Sequence, residues 1–243
     1  MTTKAAIFDM DGTILDTIED LTEAINHSMA HFGYRSDFST EEAKRFFCNG
    51  ARNAVASALA AAGAISADPK AVDAETAGPK ADGKESGDGL VDEVLSYYKP
   101  WYAAHSDIRT GPYPGIVDLL KKLKASGIRT AVVSNKPDPA VQKLCRVYFP
   151  DVFSFALGEI EGVPKKPEPD MIYICLKELG VSPAEAVYVG DSEVDIQTAV
   201  NSGLPCIGVD WGFRRRDELA EANQIVSTCD ELAQAINAQV INA

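Results

Sequence analysis

Phe8-Asp9-Met10-Asp11-Gly12-Thr13 follows the apolar run Ala5-Ala6-Ile7 directly and places two carboxylates at the end of a strand. In an extended chain alternate side chains share a face, so Asp9 and Asp11 converge while Met10 turns away. Gly12 then permits a tight bend. Two anions held this close repel, and a divalent cation with oxygen ligands is the natural relief. The same residues also fit a plain acidic turn, and the rest of the chain decides between the two readings.

The chain has 243 residues, 46% of them hydrophobic, enough for one large domain or a main domain with an insertion. Its net charge of −13 argues against general binding to nucleic acid or to an anionic membrane. An anionic substrate therefore needs a locally basic pocket. The five cysteines, Cys48, Cys145, Cys175, Cys206 and Cys229, form no CxxC pair, so neither a zinc ribbon nor a disulfide framework is indicated. A reducing cytoplasm fits this usage. The first residues lack the long apolar core of a signal peptide. No apolar run approaches the roughly 20 residues that span a bilayer.

Apolar residues at three and four residue spacing predict a helix over 16–33, ended by Gly33. Ser39-Thr40-Glu41-Glu42 reads as the capped start of a second helix, and 51–62 as an alanine-rich third. Residues 66–89 hold almost no large apolar side chains and read as a flexible inserted loop. Helical spacing resumes at Leu90 and runs past Trp101. Tyr97, Tyr98, Trp101 and Tyr102 fit the core of this helical block, and the scattered His27, His31 and His105 do not suggest a metal site.

Beyond residue 107 the pattern changes to short β-branched runs alternating with amphipathic helices. Thr130 to Val133, Val187 to Val189 and Cys206 to Val209 read as strands, with Val152 to Leu157 a weaker one. Helices are expected at about 115–126, 138–147, 169–179, 193–202 and 215–223. This alternation predicts an α/β fold, a Rossmann-like parallel sheet covered on both faces. The first strand belongs to that sheet, so the expected organisation is an α/β core of residues 1–15 and 108–243, interrupted by an inserted helical domain over 16–107. In such sheets ligands bind beyond the carboxyl ends of the strands, where Asp9 and Asp11 would sit.

Other strands also finish in polar residues that folding does not require: Ser134-Asn135-Lys136 and Gly190-Asp191-Ser192. Lys165-Lys166-Pro167-Glu168-Pro169 lies on a connecting loop. Acidic groups for a metal, a hydroxyl with nearby amides and a cation are the set needed to hold and attack a phosphoryl group. In order and spacing these segments resemble the haloacid dehalogenase superfamily, specifically its phosphatases with a helical cap inserted after the first strand, the phosphoglycolate phosphatase group being nearest. Phe8 to Thr13, Ser134-Asn135, Lys166 to Pro169 and Gly190 to Asp195 match its four signatures.

That resemblance implies a Mg²⁺-dependent hydrolase of small phosphorylated metabolites. Asp9 is then the nucleophile that forms an aspartyl phosphate, and Asp11 the general acid and base. Mg²⁺ would be held by Asp9, Asp191 and Asp11, the last through its main-chain carbonyl, with Asp195 behind them or bound through water. Ser134 and the amides of Gly12 and Asn135 would bind phosphoryl oxygens, and Lys166, rather than Lys165, would offset their charge. Thr13 would bind phosphate or cap the next segment, and Asp16 would help position the hinge or cap the helix. The cap would choose the leaving group: Asn49-Gly50 resembles the turn that opens a core-facing helix, Arg52 would meet a substrate carboxylate, and Lys136 the substrate's second anion. Arg214-Arg215-Arg216 reads as a solvated loop or helix start. The expected partner is a small metabolite, neither nucleic acid nor membrane, and the protein a monomer or homodimer. A phosphosugar mutase of the same fold, or a non-catalytic phosphate-binding regulator, is the alternative.

Overall fold

A computed structural model of the protein describes residues 3–47, 49–66 and 87–238. The chain divides into two compact units, Met1–Glu19 with Ser106–Ala243, and Asp20–His105. No helix among the described residues is long and apolar enough to cross a membrane.

The first unit is built on a parallel six-stranded sheet. Its centre is β1 (Ala5–Phe8), every residue of which is fully buried. β4 (Arg129–Pro137) and β6 (Ala186–Gly190) flank it, β5 (Phe155–Glu159) lies outside β4, and β7 (Cys206–Val209) and β8 (Gln224–Val226) lie outside β6. Every pairing in this sheet is parallel. Parallel strands need crossovers, and α5 (Ile116–Ala125), α6 (Asp138–Tyr148), α7 (Asp170–Leu179), α8 (Glu193–Ser202) and α9 (Cys229–Ala238) cover both faces. Strand alternation sorts the core accordingly. Ala6, Phe8, Val132, Val187 and Val189 pack with Leu120, Leu144 and Ile236 on one face. Ala5, Ile7, Ala131, Val133 and Tyr188 pack with Ile172, Leu176 and Ile196 on the other. A separate antiparallel pair, β2 (Leu15–Asp16) with β3 (Gly111–Pro112), ties together the segments that leave and re-enter this unit.

The second unit takes in most of α1 (Ile18–His31) together with α2 (Thr40–Phe46), α3 (Gly50–Ala61) and α4 (Gly87–His105). Ser39 and Glu42 form a reciprocal capping box that starts α2. The three histidines are absorbed by ring stacking: His27 lies 4.4 Å from Trp101, His31 4.0 Å from Tyr97 and His105 4.1 Å from Trp101.

Three expectations about elements are corrected. The helix expected over 215–223 is a short 3₁₀ turn, Arg216–Leu219, in which only Leu219 is buried. One apolar anchor does not hold a longer helix, and the chain goes on to form β8 and α9, neither of which was expected. The strand expected from Val152 begins only at Phe155, because Asp151 takes φ 58° and Val152 closes a turn onto Phe149. The expected loop at 66–89 ends earlier than its composition suggests. Gly87, Asp88 and Gly89 form the first turn of α4, where Asp88 pairs with Arg52 of α3. The remainder of that segment, 67–86, lies outside the described residues, as does Cys48.

Candidate active site

The carboxyl ends of β1, β4 and β6 converge, because these three strands are neighbours in the sheet. Asp9 continues β1 by one further bond, its amide donating to the Val189 carbonyl at 2.9 Å. Its Oδ1 accepts from Lys166 Nζ at 2.7 Å. Among the described residues, Asp9 Oδ2 accepts no hydrogen bond. Asp9 is buried, and desolvation, only partly offset by Lys166, raises its pKa from 3.8 to about 7.

Lys166 is a buried cation whose donors are all used. Its ammonium has three N–H bonds, and they reach Asp9 at 2.7 Å, Asp195 at 2.7 Å and the Tyr188 hydroxyl at 3.0 Å. Burial disfavours the charge, but Asp195 and Asp9 outweigh it and hold the pKa well above the ordinary lysine value. The loop carrying Lys166 is fastened by Asn135, whose side-chain amide donates to the Lys166 carbonyl at 2.8 Å and accepts from its amide at 2.9 Å. The Asn135 side chain therefore holds the Lys166 loop in position.

Asp191, buried at the tip of β6, accepts from Thr13 Oγ1 at 3.0 Å and from the Phe213 amide at 2.7 Å. Burial and the neighbouring Asp195 and Asp9 push its pKa well above the ordinary carboxylate value. Two glycines make room for it. A Cβ on Gly12 would lie 2.2 Å from Asp191 Oδ2, and one on Gly212 would lie 2.4 Å from the same atom. Gly12 also takes φ +85°, which a side chain would resist.

Asp195 belongs to the capping box that opens α8. Its Oδ2 accepts from the Asp191 amide at 3.2 Å, the Ser192 amide at 3.1 Å and Ser192 Oγ at 2.6 Å. Its Oδ1 takes Lys166 and, at 3.1 Å, the Tyr188 hydroxyl. Both oxygens are thus committed, and Asp195 acts as the anchor of Lys166 and of the strand-to-helix turn.

Ligand atoms of Asp9, Asp191 and Asp195 lie within 4.8 Å of one another and are all buried. An all-oxygen set of this charge fits a hard divalent cation such as Mg²⁺. With Asp195 saturated, Asp9 and Asp191 are the side chains with lone pairs to give. The glycines at 12 and 212 let two backbone segments pack closely around Asp191 Oδ2.

Asp11 sits at the rim, its side chain 19% exposed against 3% for Lys136, whose Nζ reaches its two oxygens at 2.7 and 2.9 Å. Ser134 is buried and its hydroxyl accepts from the Lys136 amide at 3.3 Å. Asp16 accepts from the Ile18 amide at 3.4 Å. In the helical unit Asn49 precedes α3 and Gly50 takes φ +82°. Arg52 pairs with Asp92 and, at 3.4 Å, with Asp88, both on α4.

Sequence reasoning missed Tyr188 and the Gly212-Phe213 turn. Tyr188 looks like any aromatic strand residue, and only its register in β6 aims the hydroxyl at Lys166. Gly212 had a visible signal, a glycine between two aromatics just past a strand, but its partner is 21 residues away. Arg214 corrects the expectation of a solvated run, since it is buried and bonds Glu193 at 2.8 Å, while Arg215 and Arg216 are exposed.

A six-stranded parallel sheet with order β5-β4-β1-β6-β7-β8, acidic residues at the tips of β1 and β6 and a lysine between them define a class of hydrolase. Residues 6–209 match the haloacid dehalogenase-like hydrolase family, and the chain belongs to it. Phosphoglycolate phosphatase 1 of Pseudomonas aeruginosa is 31% identical over 219 residues, which cover 90% of this chain and 73% of that protein. A crystal structure from Lactobacillus delbrueckii subsp. bulgaricus, provisionally named a phosphoglycolate phosphatase, superposes with a TM-score of 0.88 at 47% identity, covering 98% of this chain and 99% of the other. CbbY from Rhodobacter sphaeroides, solved in complex with phosphate, superposes with a TM-score of 0.68 at 27% identity over 96% of each chain.

Proposed function

We propose that this hydrolase is a Mg²⁺-dependent phosphatase of small phosphomonoesters, with phosphoglycolate as its substrate and an aspartyl phosphate as its intermediate. One observation carries the reading: the buried Asp9 has one oxygen held by Lys166 and the other turned to no described donor, beside Asp191. The names of the relatives support the substrate, and the phosphate complex of a relative supports a phosphoryl site.

Asp9 Oδ2 attacks phosphorus as the bond from phosphorus to the ester oxygen breaks, and Asp11 gives its proton to the departing alkoxide. Asp11 then takes a proton from a water whose oxygen attacks the same phosphorus. The bond to Asp9 breaks, its carboxylate returns and inorganic phosphate leaves. Lys166 holds Asp9 in place and offsets charge throughout. Ser134 and the amide of Asn135 are the donors assigned to the phosphoryl oxygens; the Thr13 hydroxyl donates to Asp191 and the Gly12 amide to the Leu15 carbonyl at 2.9 Å, so neither expected donor is assigned that task. When bound by Asp9, Asp191 and the Asp11 carbonyl, Mg²⁺ neutralises charge on the transferring group. We assign the choice of leaving group to the helical unit, with Asn49, Gly50 and Arg52 as candidates; Arg52 must then leave or share Asp88 and Asp92. The expected setting is the cytoplasm, as monomer or homodimer.

Release of inorganic phosphate from phosphoglycolate, dependent on Mg²⁺ and abolished by a chelator, tests the proposal. A chain that turns over no phosphomonoester with Mg²⁺ present refutes it.

A further inference from the structure

Among the described residues, Lys136 is a buried cation beside Asp11 whose work the proposed reaction does not use. Its side chain is 3% exposed, and it grips both oxygens of the very carboxylate that must hand a proton to the leaving group. An acid clamped this way by a buried ammonium is poorly placed to reach a leaving group, because both of its oxygens are engaged. The contact is too enclosed to be a surface ion pair of little consequence. A built-in clamp needs something that opens it.

We propose that Lys136 is a substrate-read latch: it holds Asp11 until a second anion on the leaving group takes its ammonium, so that the site turns over phosphomonoesters of short hydroxycarboxylates in preference to neutral alcohols. The inference rests on the phosphatase reading and deepens it. Distance sets the class. An ester oxygen bonded to Asp11 stands two hydrogen bonds from Lys136, at most about 5.5 Å. A carboxylate one carbon beyond that oxygen spans the gap and reaches the ammonium directly. A carboxylate several carbons further overshoots, and an unsubstituted alkyl group offers nothing to trade for Asp11. Charge supports the same choice, since the site already gathers Asp9, Asp11, Asp191 and Asp195 in a chain of net charge −13, and an anionic leaving group needs a dedicated cation. Lys166 does not serve, because its three donors are used.

The test compares kcat/KM for phosphoglycolate and ethyl phosphate in the wild type, Lys136→Met, Lys136→Gln and Lys136→Arg, with Mg²⁺ saturating and folding checked by circular dichroism. The wild type should favour phosphoglycolate. Both neutral variants should lose about 100-fold on phosphoglycolate, the worth of a lost charged contact, while kcat for ethyl phosphate rises because the clamp on Asp11 is gone. Lys136→Arg should keep part of the preference. Equal losses on the two esters would overturn the latch and leave the phosphatase reading standing. Wild-type protein that hydrolyses neither ester would overturn both. If Lys136→Met does not fold, the Gln and Arg variants decide, and a Gln variant with the wild-type preference overturns the latch.

Discussion

Lys166 and Arg52 are both cations held between two carboxylates, and they live in opposite environments. Lys166 and its acidic partners Asp9 and Asp195 have side chains 4%, 10% and 1% exposed. Arg52 and its partners Asp88 and Asp92 are 34%, 62% and 64% exposed. Removing one member of a buried group strands an uncompensated charge, whereas an exposed pair in water contributes little. The same contact drawn on paper is therefore a fixed part of a buried acidic cluster in the sheet unit and an adjustable link between α3 and α4 in the helical one.

The comparison breaks first at Lys166. Lys166→Met should lower kcat by at least about 1000-fold, since charge stabilisation at the transferring group is lost and Asp9 loses its anchor. Steady-state kinetics on phosphoglycolate checks this, and a loss under tenfold would place Lys166 outside the reaction.

Next in size is Gly212→Ala. Its new Cβ would press on Asp191 Oδ2 and on the Gly12 carbonyl, both at 2.4 Å. The Mg²⁺ concentration for half-maximal activity should rise at least about tenfold, with a smaller change in melting temperature. An unchanged Mg²⁺ titration would remove the glycine cradle from the metal site.

A smaller effect follows from Asp9. Without metal its pKa is raised from 3.8 to about 7, so the folded form binds more protons than the unfolded form in that window, and stability falls as pH rises through it. Mg²⁺ must displace that proton, so the melting-temperature gain from Mg²⁺ should grow between pH 5.5 and 7.5 and then level off. An equal gain at both pH values would contradict the assignment of Asp9 to the metal.

Smallest should be Arg52→Ala, with stability within about 1 kcal/mol of wild type. A KM for phosphoglycolate raised more than about threefold would assign Arg52 to the substrate. No change would leave it as a link between helices.

The two units also differ in how far sequence revealed them. β1, β4, β6 and β7 were legible because a strand buried on both faces is apolar without interruption, and polar residues past its end stand out. Asp9, Asp11, Ser134 and Asp191 were visible for that reason. β8 was hidden because Gln224-Ile225-Val226 is short and half exposed at the sheet edge. Tyr188 was hidden in the opposite way, as an apolar-looking residue in a buried strand whose hydroxyl matters only once β6 stands beside β1. Arg52 was legible as a cation after an Asn-Gly turn, but its partners lie 36 and 40 residues away, beyond a segment without pattern. Local periodicity reports burial well and reports long-range pairing hardly at all.

The proposed reaction turns on Asp9 as the group that bonds to phosphorus. Enzyme turning over phosphoglycolate with Mg²⁺ can be quenched with borohydride, which reduces an acyl phosphate to an alcohol, and its peptides read by mass spectrometry. The account predicts reduction at Asp9 alone, turning that residue into homoserine, and none without substrate. Reduction at Asp11, or turnover with no reduced aspartate, would contradict it.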